Sequence, residues 1–324
     1  MKNFINIYVE HEALNYQLTK DILSQNSNAN VITIGHYKDV FSRPRQDVLL
    51  QKETQSLILA VKKDEFLYKG APVCQDFGNQ NFYYCSSVMN CVCNCEYCFL
   101  KGMYESGNLV VFVNLEDYFA QIKNDNKYIC ISYDTDLFPL ESMLGYVKKW
   151  LDFAHENNEV TLEVRTKCKN LDVWKYEPAK NVIFAFSLSP QKIISEFEHK
   201  TSNLDARLEN IKVAQDRGFV TRLCFDPIIY CQNWREEYSS LIEKTLKAID
   251  ISAVQDISIG SFRISQSYLK NMRVRDCKSK IVNFPFKNID GYYQYDEALQ
   301  TEIENFMLEN LSKHFDKEKI FLWK

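Results

Sequence analysis

The chain has 324 residues, 46% of them hydrophobic, which is enough for one large α/β domain with a substantial core. A formal net charge of −4 argues against non-specific nucleic-acid binding by the whole surface, and no run approaches the length of an apolar membrane span. Eleven cysteines, with no apolar leader or cleavage site in Met1-Lys2-Asn3-Phe4-Ile5, point to a reducing cytoplasm rather than to a disulfide framework.

Residues 1–79 read as an α/β module: a helix near 12–24, a strand over 30–35, a polar link rich in Arg and Gln, and a strand over 56–62. No Gly/Ser/Pro linker follows, so the module is expected to pack on the next domain. A strand at 81–87 then leads into Cys91-Val92-Cys93-Asn94-Cys95-Glu96-Tyr97-Cys98-Phe99, a C-x3-C-x2-C pattern. Thiolates are soft ligands that suit iron–sulfur clusters and zinc. Three of them leave one iron of a four-iron cluster open to an outside ligand, which is where chemistry can occur. A structural zinc site is the alternative, although no second paired knuckle follows to complete one. A register through Cys93 breaks the spacing, so Cys93 reads as a bystander.

Further strands are expected at 127–133, 160–167, 181–189, 220–229 and 255–264, with helices at 115–123, 140–156, 204–216 and 235–249 between them. This alternation implies parallel strands with helices outside. Asn114 and Asn203 are placed to cap helices. Along 160–167, alternation puts Glu163, Arg165 and Lys167 on one face, too polar to pack under a helix, so that face is expected to line the sheet's interior. A surface salt bridge is the plainer reading of Lys167. Ser187 and Ser189 share a face opposite Phe184, Phe186 and Leu188, where a hydroxyl satisfied by backbone is the plainer reading. Residues 270–280 carry five cations, Lys270, Arg273, Arg275, Lys278 and Lys280, against Asp276, and suit either a solvated loop or phosphate contact. The tail holds a tyrosine-rich turn over 290–295 and a helix at 297–314.

The cysteine spacing with Tyr97 and Phe99 resembles the radical S-adenosylmethionine (SAM) superfamily. That resemblance implies a partial (β/α)6 TIM-like barrel over 80–270, with residues 1–79 as an N-terminal α/β extension and 271–324 as a C-terminal helical, substrate-side extension. It implies a [4Fe–4S] cluster on Cys91, Cys95 and Cys98, with SAM chelating the open iron and yielding a 5′-deoxyadenosyl radical upon reduction. Cys224, Cys231 and Cys277 are too scattered for an auxiliary cluster, so one cluster is expected.

A closer resemblance runs from about residue 50 to 270. The cysteine loop, Arg165-Thr166-Lys167, Phe184-Ala185-Phe186-Ser187, the stretch from Glu198-His199-Lys200-Thr201 to Arg207, and Asp226-Pro227 with Asn233-Trp234-Arg235 look like spore photoproduct lyase. That family repairs a methylene-bridged thymine dimer in DNA. The resemblance implies SAM contacts from Lys167, Ser187 and Thr135, a radical-transfer role for Tyr97, and a low-potential reductant such as a flavodoxin or ferredoxin. It also implies a monomer without membrane contact. Two positions depart from the family. Tyr133 stands where it has a hydrogen-donating cysteine, and Phe99 where it has a tyrosine. The donor is then Tyr133 or a substitute among Cys74, Cys85 and Cys231. The basic run and the tail tyrosines are candidates to hold DNA. A homologue with another substrate and a metal-stabilised binding protein remain the rival readings.

Overall fold

The computed structural model describes residues 4–71, 74–122 and 126–323. Six strands, β1 (Phe82–Tyr84), β2 (Tyr128–Cys130), β3 (Thr161–Thr166), β4 (Val182–Ser187), β5 (Val220–Ile228) and β6 (Val254–Ser261), pair in chain order, and all are parallel. A seventh strand, β7 (Ile320–Leu322), adds parallel to β6. Its three residues are too few for a sequence period to reveal. Tyr68–Lys69 pairs antiparallel with β1 at the other edge, so the sheet ends on two open edges and is a partial barrel.

The residue pattern explains which way each strand faces. β4 is buried along its whole length, as a strand covered on both faces should be. On β3, Leu162 and Val164 pack outward, while Glu163 and Arg165 face a polar interior. There Arg222 of β5 joins Glu163 at 2.6 Å and Asp256 of β6, and Arg165 reaches Glu163 and Asp226 at 3.2 Å each. The expected interior face is therefore a paired ionic layer.

The helices follow their caps. Asn203 Oδ1 accepts from Ala206 N at 2.9 Å and starts Leu204–Asp216. Asn114 does not cap its helix. It holds both backbone groups of Lys62, accepting from N and donating to O at 2.8 Å. The helix expected over 140–156 is broken at Gly145, whose φ of +63° suits glycine, and only Tyr146–Glu156 is a full helix. Glu141 accepts from Val147 N and Lys148 N at 2.7 and 3.0 Å and so caps that second piece. The helix expected over 115–123 is Leu115–Gln121, and residue 123 lies outside the described residues.

The N-terminal sheet takes strands from both sides of residue 79. Asn30–Ile34, Asn6–Glu10, Leu57–Ala60 and Leu109–Phe112 pair in parallel in that order, and Val88–Met89 adds antiparallel to the last. The cysteine loop runs between Val88–Met89 and Leu109–Phe112, so both its ends are anchored in the N-terminal sheet. The predicted helix over 12–24 is a short 3-10 turn, Glu12–Asn15, followed by Gln17–Gln25. No described helix is long and apolar enough to cross a membrane.

Near the C-terminus, Lys287–Ile289 and Tyr292–Gln294 form a hairpin that pairs with Arg263–Ser265. Asp290 and Gly291 both have positive φ, +49° and +85°, as a two-residue hairpin turn requires. The last helix, Glu297–Leu311, is capped by Asp296, whose Oδ1 accepts from Leu299 N at 3.1 Å.

Candidate active site

Cys91 and Cys95 are buried and Cys98 is half-buried in the loop before the short helix Leu100–Met103. Asn94–Cys95 pairs antiparallel with Glu198–His199, which stitches the middle of the loop to the barrel beyond β4. As free thiols all three titrate high. Contact with the Cys93 thiol and burial push Cys91 up, and burial is the first cause for Cys95 and Cys98. Thiolates at such positions call for a bound metal to hold their charge. Two buried cations stand beside them. Lys52 Nζ donates to Asn90 Oδ1 at 2.6 Å and Cys91 O at 2.7 Å, and Lys101 Nζ lies 3.4 Å from Asn94 O. The sequence reading missed both lysines. Lys52 comes from the helix Val48–Glu53 of the N-terminal region, where it looks like any polar residue of a surface helix.

Cys93 turns elsewhere. Its Sγ lies 3.5 Å from Cys168 Sγ, and the two sulfurs with Asp136 form a buried group close enough to ligate one ion. The Asp136 carboxylate is already engaged, however. It accepts from Phe138 N at 3.1 Å, Thr166 Oγ1 at 2.9 Å and Lys167 N at 2.8 Å. Its role is to fix the turn that carries Lys167.

Lys167 follows the C-terminal end of β3, where parallel barrels place their functional groups. Its Nζ is 3.3 Å from Glu198 Oε1 and 3.1 Å from the Tyr97 hydroxyl. Glu198 is the hub. It also accepts from Ser189 Oγ at 2.8 Å, from Tyr97 and from Arg207. Burial works to raise its pKa, but the charges of Lys167 and Arg207 outweigh it and hold the carboxyl well below the usual range. Burial and the Glu198 charge push the Tyr97 phenol up. Ser187 is buried at the end of β4, and its carbonyl accepts from Arg207 Nη1 at 2.9 Å. The motif that carries Glu198 and Arg207 was visible in the sequence, but their roles were not.

Across the mouth lies an aromatic cluster. Tyr133 stacks on Tyr84 at 4.3 Å between ring centres and meets Phe99 at 5.6 Å, and Tyr84 stacks on Tyr68 at 5.2 Å. The Cys74 thiol donates to the Tyr133 hydroxyl at 3.4 Å. Burial pushes both groups above their ordinary pKa, so both keep their hydrogens at neutral pH. Cys85 is fully buried in the core, and Cys231 lines a different cleft of about 370 Å³ with Tyr230 and Phe284. Only Cys74 among the three candidate thiols touches Tyr133 among the described residues. Next to Tyr133, Asp134 accepts from the hydroxyls of Ser86 and Tyr104, while Thr135 Oγ1 is buried without a partner among the described residues, which suits a polar ligand.

The basic run divides. Arg273 donates to Val282 O and Phe284 O at 2.9 Å, and Arg275 to Tyr104 O at 2.8 Å, so both hold structure. Lys270, Lys278 and Lys280 are exposed.

The sequence model of the family described as spore photoproduct lyase matches residues 4–323. The chain belongs to the spore photoproduct lyase family. Curated members from Clostridium acetobutylicum and Bacillus subtilis are 24% and 23% identical to it, and the alignments cover 98% and 93% of this chain and 98% and 94% of theirs. A spore photoproduct lyase variant solved with bound AdoMet and dinucleoside spore photoproduct superposes with a TM-score of 0.83 at 19% identity, covering all of this chain and 99% of that one. A second lyase structure, complexed with the dinucleoside spore photoproduct, gives 0.82 at 19% identity and covers 99% of this chain and 98% of that one. These likenesses identify the fold as the radical SAM partial barrel. As a member of the spore photoproduct lyase family the protein is a radical SAM lyase, with a [4Fe–4S] cluster and SAM as cofactors. The donor set fits them: three metal-seeking thiols beside two buried cations, and an unpartnered buried hydroxyl at Thr135 among the described residues.

Proposed function

We propose that this protein repairs the ultraviolet-induced spore photoproduct, 5-thyminyl-5,6-dihydrothymine, in DNA. The observation that carries this reading is the family match, which spans residues 4–323. Cys91, Cys95 and Cys98 ligate the cluster in this reading, and Lys167, Ser187 and Thr135 bind SAM. When bound, these groups supply an electron and a 5′-deoxyadenosyl radical that takes a hydrogen atom from the lesion.

The chain's own residues govern the rest. Glu198 and Arg207 fix Tyr97 and Lys167, leaving the lysine ammonium to be shared with the carboxylate of SAM. Cys74 and Tyr133 return the hydrogen. The carbon radical of the opened lesion takes the hydrogen atom of the Cys74 S–H bond, the sulfur radical left behind takes one from the Tyr133 hydroxyl, and one electron from the flavodoxin or ferredoxin with one proton from solvent restores the phenol. The 3.4 Å contact between the two supports this order, since a thiol reacts faster with a carbon radical than a phenol does. Exposed Lys270, Lys278 and Lys280 suit contacts with the phosphates flanking the lesion. A flavodoxin or ferredoxin as electron donor, a cytoplasmic location and a monomeric state complete the proposal.

The replacement at Tyr133 favours one rival, a radical SAM lyase with another nucleic-acid lesion as its substrate. Anaerobically reconstituted, dithionite-reduced enzyme with SAM and an oligonucleotide containing spore photoproduct decides between them. Restored thymines alongside 5′-deoxyadenosine are expected. Deoxyadenosine release with the lesion intact would sink the substrate assignment.

A further inference from the structure

We propose that Lys52 and Lys101 are the counter-ions of the iron–sulfur cluster, two buried ammonium groups that retain the anionic centre and ease its reduction. The proposal rests on the reading that Cys91, Cys95 and Cys98 hold that cluster.

Among the described residues neither side chain has a carboxylate at ion-pair distance, Asp276 and Glu96 lying farther out around Lys101. Lys52 is 2% exposed and Lys101 is 6% exposed. Among the described residues, their hydrogen-bond partners are the neutral oxygens of Asn90, Cys91 and Asn94, and neither forms an ion pair with an acidic side chain. The other deeply buried cations among the described residues, Arg207 and Arg222, each sit against a glutamate. A buried ammonium with only neutral acceptors carries a large desolvation penalty, so such groups are found with a counter-charge.

The counter-charge here is sulfur. Lys52 Nζ is held 2.7 Å from the carbonyl oxygen of Cys91, and Lys101, three residues after Cys98, reaches to 3.4 Å from the carbonyl oxygen of Asn94, the residue before Cys95. Between them the two lysines flank all three cysteines. A four-iron cluster on three thiolates carries a net charge of about −1, and about −2 after one-electron reduction. Fixed cations in a low-dielectric setting favour the more negative state.

Hydrogen bonding alone does not call for a lysine at position 52. Gln55 Nε2 already donates to Cys91 O at 2.9 Å, and Asn90 Oδ1 already accepts from Cys91 N at 3.0 Å. A neutral amide would serve the same carbonyl. The ammonium adds charge, and the backbone that carries it is held in turn by Lys200 Nζ on Lys52 O at 2.6 Å.

The test measures iron content and the SAM-free reduction midpoint, followed by electron paramagnetic resonance, in the reconstituted full chain and in Lys52→Gln, Lys101→Gln and Lys52→Arg. Parent protein with about four irons per chain upholds the cysteine assignment on its own. The proposal expects both glutamine variants to have midpoints more negative than the parent, with Lys52→Arg close to it. Loss of iron in Lys52→Gln that Lys52→Arg restores would also support it. Unchanged midpoints in both glutamine variants at full iron content would overturn it. So would iron loss in Lys52→Gln that Lys52→Arg fails to restore, together with an unchanged Lys101→Gln. A shift in one glutamine variant alone refutes the role of the other lysine.

Discussion

Glu198→Gln separates the charge at the hub from its shape. The glutamate meets Arg207 and Lys167 together, with Ser189 and Tyr97 on its remaining lone pairs. Glutamine keeps the volume and one acceptor oxygen but removes the negative charge. Lys167 is 19% exposed and can turn toward solvent, so its share of the loss is about 0–1 kcal/mol. Arg207 is 2% exposed and cannot. Its other partners, Ser202 O, Ser187 O and Thr201 Oγ1, are all neutral. Leaving a buried charge unpaired costs about 3–5 kcal/mol, and Arg207 should account for nearly all of the effect. Urea unfolding followed by the fluorescence of buried Trp174 measures it. The double variant Glu198→Gln/Arg207→Met should recover most of the loss, because it removes the orphaned charge. A cost below about 1 kcal/mol in the single variant, or no recovery in the double, would refute the reasoning. The pH dependence has a definite sign. The folded state holds Glu198 ionised more firmly than the unfolded chain does. Its contribution is therefore complete above the ordinary glutamate value of about 4.3 and declines as pH falls below it. Parent protein should lose stability more steeply than Glu198→Gln on acidification below that value.

Three further outcomes follow from the site. Cys93→Ala should keep about four irons per chain, whereas alanine at Cys91, Cys95 or Cys98 should abolish cluster assembly, as iron analysis will show. Cys74→Ala should divert the product radical to side adducts while SAM cleavage continues, and Tyr133→Phe should allow a first turnover but slow later ones. Chromatography of single- and multiple-turnover reactions tests both, and unchanged repair in Cys74→Ala would place the donor elsewhere. Gly102→Ala would drive its new methyl to 2.3 Å from Tyr268 O and push apart the helix Leu100–Met103 and the helix Gln266–Arg275 that carries Tyr268. A loss of about 1–3 kcal/mol in urea unfolding is expected.

Much of this was legible in residue order because four of the barrel strands, β3 to β6, run six to nine residues and all six lie apart by helix-length stretches. The polar alternation of Glu163 and Arg165 read through to the ionic interior, while Lys167, one residue past the strand, turns to Glu198 and Tyr97 instead. The elements that escaped are short or bonded far from their sequence neighbours. Leu109–Phe112 follows the cysteine loop yet pairs with Leu57–Ala60, and β7 joins β6 from the end of the chain. The same non-locality hid half of the site. Nothing in the sequence around Lys52 marks it as buried beside Cys91, and Cys74 meets Tyr133 across 59 residues. The sequence flagged Tyr133 as a departure from the family, and only the fold supplied its thiol neighbour.

The most direct test of the account is repair of dinucleoside spore photoproduct in D2O by the reduced enzyme with SAM, read by mass spectrometry of the thymine product. A thiol exchanges its hydrogen with solvent, so donation from Cys74 predicts two restored thymines carrying one deuterium on the product methyl. Restored thymine without deuterium would show that the hydrogen returns from 5′-deoxyadenosine and not from the Cys74–Tyr133 pair. SAM cleavage with no thymine restored would contradict the lyase assignment itself.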